Sequence, residues 1–393
     1  MKLWNLALLV WLAGCAIAPA PTTCPPCPGV VTPAPAEKPL QPANWAELPG
    51  WEGEDHAAVL ALFKAQCVTL AKRPLWLSTC ESAQKVGAGM TAPGAAKAWF
   101  EANFRPWALV NPDGSREGLI TGYYEPVVRG SRTKKAPYLT PVFGPPEDLI
   151  IVDLSSLYPE LKNLRLRGRL EGRRLIPYFS RAEWAAEEDK RADRALMWVD
   201  DPIDFFFLQI QGSGQVVLDD GSRVRIGYAD QNGHPYRSIG RWLIEQNELK
   251  PHEASMQGIK AWAERHPERL RELLEVNPSL IFFRELPIDG SGPPGEIGKG
   301  PPGALGVPLT PERSIAVDPR FIPLGAPVWL ATTRPNDLET LARLMLAQDT
   351  GGAIRGPVRA DFFWGSGPEA GSLAGRMRQK GKMWVMLPRW YEP

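Results

Sequence analysis

Three aspartates near the end of this 393-residue chain stand where chemistry is possible. Asp318 lies in Ser-Ile-Ala-Val-Asp-Pro, Asp349 in Ala-Gln-Asp-Thr-Gly-Gly and Asp361 in Arg-Ala-Asp-Phe-Phe-Trp-Gly. Aspartate close to Pro or Gly often shapes a turn through its own backbone, and this explains Asp318 and Asp349 taken singly. Asp361 differs, because it sits inside an aromatic, β-rich run where aspartate is disfavoured. Strand alternation puts Ala360 and Phe362 on one face and Arg359, Asp361 and Phe363 on the other. Desolvation among aromatics holds a carboxyl protonated, and a neighbouring carboxylate raises its pKa further, while Arg359 pushes the other way. Such an acid can protonate a glycosidic oxygen.

The elements that must position these residues are mostly short strands. Ser314–Val317, Ala326–Ala331, Ala342–Ala347, Val358–Phe363 and Trp384–Leu387 are β-rich and separated by Pro and Gly turns, which predicts a small β-barrel. Gly118–Val128 reads as a strand with a bend. Asp204–Val217 and Val224–Tyr228 read as a hairpin about Asp219-Asp220-Gly221. Residues 54–73 and 94–104 carry helical spacing. Ser255 is placed to cap a helix through Ala263, and Pro267 to start another that ends at Asn277-Pro278. Residues 289–306 are rich in Gly and Pro and read as a surface loop.

The first residues read as an export signal. Lys2 precedes an apolar run broken by Asn5, and Leu12-Ala13-Gly14-Cys15 follows. Residues 16–44 hold nine prolines in 29 positions and read as an extended tether after a 1–14 signal. Cys24 and Cys27 in this tether fit a local disulfide or idle thiols better than a zinc site. Cys67 and Cys80 fit either a disulfide or two buried thiols. With 45 basic and 44 acidic residues and no basic stretch, nucleic acid is not an expected partner. Fifteen tryptophans fit core packing or a sugar-stacking groove.

Several ordered motifs carry a resemblance. Thr121-Gly-Tyr-Tyr-Glu-Pro-Val, Gln209-Ile-Gln-Gly-Ser-Gly, Tyr236-Arg-Ser-Ile-Gly, Ser255-Met-Gln-Gly-Ile, Asn277-Pro-Ser-Leu-Ile-Phe-Phe and the three-aspartate region together resemble the membrane-bound lytic murein transglycosylase A family over about residues 115–390. The resemblance implies a mainly β fold with helices. A double-psi β-barrel, from 45–126 and 285–393, would carry an inserted β domain at 127–284, with a glycan groove between them. It implies cleavage of the β-1,4 bond between N-acetylmuramic acid and N-acetylglucosamine of peptidoglycan, leaving 1,6-anhydro ends. Asp361 matches the family's acid and Asp349 its supporting aspartate; Asp318 would hold a turn or add to the same field. Tyr123, Tyr124, Gln211, Ser213 and Gln257 are groove candidates by motif position, each equally explicable as core or turn. No cofactor or metal is implied. Leu-Ala-Gly-Cys resembles a bacterial lipobox, so Cys15 is the expected lipidation site, and Ala16 points to the periplasmic face of the outer membrane.

One acid suffices on physical grounds. Ordinary glycosidases use two carboxyls, the second serving water or a covalent intermediate. If the substrate's own C6 hydroxyl is the nucleophile, one aspartate can act as acid and then as base, helped by high effective molarity. The competing readings are a hydrolytic muramidase and a non-catalytic peptidoglycan-binding lipoprotein. A serine elbow is missing at Gly212-Ser213-Gly214, and four histidines without a ligand cluster argue against metal hydrolysis.

Overall fold

The computed structural model describes residues 38–86, 94–161, 164, 166–287, 300–336 and 339–393. The signal, Cys15, Cys24 and Cys27 lie outside these residues, as does the Gly/Pro loop up to Gly300. Strand β1 (Leu40–Pro42) falls within the segment expected as tether, yet pairs antiparallel with β2 (Phe104–Leu109), Leu40 opposite Leu109. Between them lie α1 (His56–Leu70), α2 (Leu77–Lys85) and α3 (Ala95–Asn103). Asp55 caps α1 by accepting from the Ala58 amide at 3.1 Å. Val59, Phe63, Cys67 and Leu70 bury one face of α1 in the main core. Cys67 and Cys80 form a disulfide that ties α1 to α2, with Cα atoms 5.5 Å apart.

Strand β3 (Gly118–Glu125) is followed by Pro126, and β4 (Val127–Ser131) then enters a different sheet. That sheet also takes β5 (Thr140–Phe143). A small sheet of β6 (Ile150–Ile151), β7 (Arg167–Glu171) and β8 (Arg174–Pro177) follows, then α4 (Arg181–Ala186). Strand β9 (Ala195–Val199), α5 (Pro202–Gln211), β10 (Ser213–Leu218) and β11 (Arg223–Gln231) come next, then α6 (Ile239–Glu245), α7 (Met256–Arg265), α8 (Leu270–Glu275) and β12 (Ile281–Leu286). The six-stranded order is β12-β11-β10-β4-β9-β5.

One expectation fails here: Asp204–Gln211 is helix, not strand. Asp201 accepts from the Ile203 and Asp204 amides, Pro202 opens the helix, and Gly212 ends it in the left-handed region at φ 81°. These end signals outweigh the β preference of Phe205-Phe206-Phe207. The hairpin itself is present as β10 and β11, with Ser213 opposite Gly227. Ser255 caps α7 as expected, accepting from the Gly258 amide.

The chain then returns to the first sheet through β13 (Ser314–Val317), β14 (Pro327–Thr333), β15 (Thr340–Asp349), β16 (Arg359–Ser366), α9 (Gly367–Arg376) and β17 (Arg378–Pro388). Its order is β1-β2-β17-β14-β15-β13-β16-β3, and β17 also pairs with β3. That extra pairing closes β17, β14, β15, β13, β16 and β3 into a barrel. Two of its pairings are parallel, β13 with β15 and β16 with β3. Closure removes the free edges of these strands. Trp51, Trp76 and Trp329 are buried in the barrel core, so packing accounts for much of the tryptophan content. Among the described residues no helix is long and apolar enough to cross a membrane.

Candidate active site

Asp361 and Asp349 come together through the strand between them. In β13, Ala316 is opposite Asp361 of β16 and also opposite Asp349 of β15. The second pairing depends on a bulge: Ile315 faces Ala347, and the next pair skips Gln348. A bulge re-aims the side chains beside it. The skipped Gln348 is buried, accepts from Ser314 Oγ at 2.5 Å and donates to Gln66 Oε1 at 3.0 Å. Gln66, on α1, donates in turn to the Gly325 carbonyl at 2.9 Å. Helix α1 therefore helps fix the register of Asp349.

Asp361 is half-buried, and its Oδ1 accepts from Thr121 Oγ1 at 2.6 Å. The parallel pairing of β16 with β3 sets Thr121 directly opposite it. Burial pushes the Asp361 carboxyl up to about 6; the Thr121 hydrogen bond and the Arg359 charge oppose the rise, and Asp349 adds to it. Desolvation thus wins over Arg359, the balance the sequence left open. Asp349 is also raised by burial, against bonds from the Ala304 and Thr350 amides at 2.9 Å each and from Tyr123 Oη at 3.1 Å. Tyr123 is held neutral, its pKa raised first by burial and then by Asp349 and Asp361. Its ring lies 5.1 Å from that of Phe363.

Asp318 belongs to a different arrangement. It is fully buried, pairs with Arg320 at 2.6 Å and accepts from the Gly356 amide at 2.9 Å. Burial alone would raise its pKa, but the bonds from Arg320 and Gly356 hold it lowered. It pins the loop that leads into β16.

The other candidates gather at the seam between the barrel and the inserted sheet. Tyr124 donates its amide to Gln211 Oε1 at 3.2 Å and its hydroxyl to Met256 Sδ at 3.4 Å. Gln257 is exposed on the first turn of α7, with its Oε1 beside Gly375 of α9. Ser213 is half-buried at the start of β10, and no side-chain bond ties it to the acid. Gly122 has a packing reason: a Cβ there would sit 2.7 Å from the Trp364 indole and 2.9 Å from Ala374 Cα.

The sequence reading missed two groups. Thr121 was quoted in a motif but given no role. Glu125 is fully buried where β3 leaves the barrel. It pairs with Arg225 of β11 at 2.6 Å and accepts from Gln215 of β10 at 2.8 Å and Ser366 of β16 at 2.7 Å. Arg225 also donates to the Gly300 carbonyl. One buried carboxylate thus joins both sheets, and its partner Arg225 holds Gly300 of the Gly/Pro loop. A charged residue in a β-rich run just before proline was the available signal.

A carboxyl raised by burial on a closed barrel, beside a seam with an inserted sheet, is an arrangement that can do acid–base chemistry. Residues 119–284 match the model of the MltA specific insert domain, and residues 313–387 match the 3D domain. Membrane-bound lytic murein transglycosylase A of Escherichia coli K12 is 35% identical over 291 residues, 71% of this chain and 68% of the relative. The crystal structure of MltA from Neisseria gonorrhoeae superposes with a TM-score of 0.77 at 38% identity, covering 90% of this chain and 94% of that one. The E. coli MltA structure with bound chitohexaose superposes at 0.68 with 28% identity, covering 90% and 96%. The chain belongs to the membrane-bound lytic murein transglycosylase A family.

Proposed function

We propose that this protein is a lytic transglycosylase that cleaves the β-1,4 bond between N-acetylmuramic acid and N-acetylglucosamine of peptidoglycan, with Asp361 as its single acid and base. The observation that carries this reading is Asp361 on the closed barrel, half-buried, with Oδ1 held by Thr121 at 2.6 Å and its carboxyl pushed by burial up to about 6. The protonated acid gives its proton to the glycosidic oxygen as the bond to the muramic C1 breaks. The C6 hydroxyl of the same sugar then bonds to C1 and returns its proton to Asp361. The sugar ends as a 1,6-anhydro ring, no water is consumed, and the enzyme is restored.

Asp349 raises and orients Asp361 without forming a covalent bond, and Tyr123 holds Asp349 in place. Tyr124, Gln211, Ser213 and Gln257 line the glycan groove along the seam. Asp318 fixes the loop before β16. The two lobes act as separate domains, 45–126 with 285–393 and 127–284. Chitohexaose in the E. coli relative supports a glycan occupant for such a groove. The membrane-bound relatives support attachment to a membrane. Cys15 would carry the lipid anchor, on the periplasmic face of the outer membrane; acyl chains contribute about 0.8 kcal/mol per buried methylene. The test is digestion of purified murein by wild type and Asp361→Asn. Loss of muropeptide release in a folded variant supports the assignment, and retained release removes it.

A further inference from the structure

We infer that Thr121 and Arg359 form a one-way hydrogen-bond relay that fixes which oxygen of Asp361 carries the catalytic proton. The inference rests on Asp361 being the acid. Arg359 Nη2 donates to Thr121 Oγ1 at 2.9 Å, and Thr121 Oγ1 lies 2.6 Å from Asp361 Oδ1. A guanidinium has donors only, whereas a hydroxyl has a single hydrogen. The Thr121 hydroxyl therefore accepts from Arg359 on one lone pair, which leaves its own hydrogen placed to donate to Asp361 Oδ1. With that hydrogen directed at Oδ1 in both states of the acid, Oδ1 stays an acceptor whether or not Asp361 is ionised. The proton of the acid sits on Oδ2, and the same Oδ2 receives the proton back from the C6 hydroxyl. One oxygen handles both transfers, and the carboxyl need not rotate between them.

The relay also explains how an arginine two residues from the acid leaves it protonatable. Arg359 Nη1 is used on the carbonyls of Leu119 and Ala360. Its other terminal nitrogen is used on Thr121, so the guanidinium meets the carboxyl through a hydroxyl. Such a hydroxyl transmits direction at a smaller electrostatic cost to the acid than direct ion pairing. The register of β16 against β3 builds the arrangement, because Arg359 lies opposite Leu119 and Asp361 opposite Thr121. Thr121 and Arg359 are positioning residues; neither touches the reacting atoms.

The test uses the full chain and purified murein, with kcat and KM followed across pH for Thr121→Val, Thr121→Ser, Arg359→Met and the Thr121→Val/Arg359→Met pair. Thr121→Val keeps the shape and removes the relay, so kcat falls roughly tenfold with KM little changed, a modest part of what a general acid contributes. Thr121→Ser restores the hydroxyl and most of the rate. Arg359→Met frees the hydroxyl to turn, lowers kcat and moves the alkaline limb of the pH profile upward. Arg359 acts through Thr121, so the paired variant is no slower than the slower single one. Unchanged kcat and pH profile in Thr121→Val, or losses that multiply in the paired variant, overturn the relay. Asp361→Asn run alongside separates the claims: an active Asp361→Asn overturns the assignment of the acid. An inactive one with a neutral Thr121→Val overturns the relay alone.

Discussion

Asp349 and Asp361 are register partners of the same residue, Ala316, from the two strands that flank β13. Adjacent strands lie about 4.8 Å apart, which puts the two aspartate Cα atoms roughly 10 Å from each other. Asp349 can therefore act on Asp361 as a charge, while its own oxygens are occupied by Ala304, Thr350 and Tyr123. In the proposed reaction this division of labour differs from that of glycosidases in which both carboxyls react.

The first consequence concerns pH. In the proposed reaction Asp361 starts protonated, so the rate is expected to fall as pH rises through about 6. Stability changes in the same window. The folded pKa lies above the ordinary carboxylate value, so the folded state holds more protons than the unfolded one between about 4 and 6. Its contribution to stability is lost as pH rises through that range. Asp361→Asn removes the buried charge, so its Tm should exceed that of wild type at neutral pH, with the gap closing towards pH 4. A lower Tm at neutral pH would contradict the desolvation argument.

Asp349→Asn tests the supporting charge. Asp349 helps raise Asp361, so its neutralisation lowers the acid's pKa. The alkaline limb of the rate should move down by up to about one pH unit. A limb that stays in place would reduce Asp349 to a loop anchor.

The Glu125–Arg225 pair tests what holds the barrel to the inserted sheet. Arg225→Met leaves a fully buried carboxylate without its cation, and a loss of about 3–5 kcal/mol is expected in denaturant titration. Glu125→Gln combined with Arg225→Met should recover part of it, because no charge is then stranded.

Reduction of the Cys67–Cys80 bridge frees a loop with a sequence separation of 13 and should cost about 3 kcal/mol. The sequence left this pair open, since spacing alone does not bring two cysteines together.

Local pattern carried much of the fold. The strands β13, β15 and β16 are β-rich runs bounded by Pro and Gly turns, and α1 and α7 show helical spacing, with Ser255 the cap of α7. Local composition misled at Phe205-Phe206-Phe207, where Asp201-Pro202 and Gly212 were the better guides. Thr121 was illegible for another reason. It meets Asp361 across 240 residues, through a parallel pairing that no local pattern announces. The placement of Asp349 likewise depends on a bulge at Gln348 held by Gln66, 282 residues away.

Cleavage without water can be read from digestion of murein in heavy-oxygen water. The expected products are muropeptides with 1,6-anhydro ends, each lighter by one water than a hydrolysed product and free of label. Reducing ends that carry the heavy oxygen would contradict it.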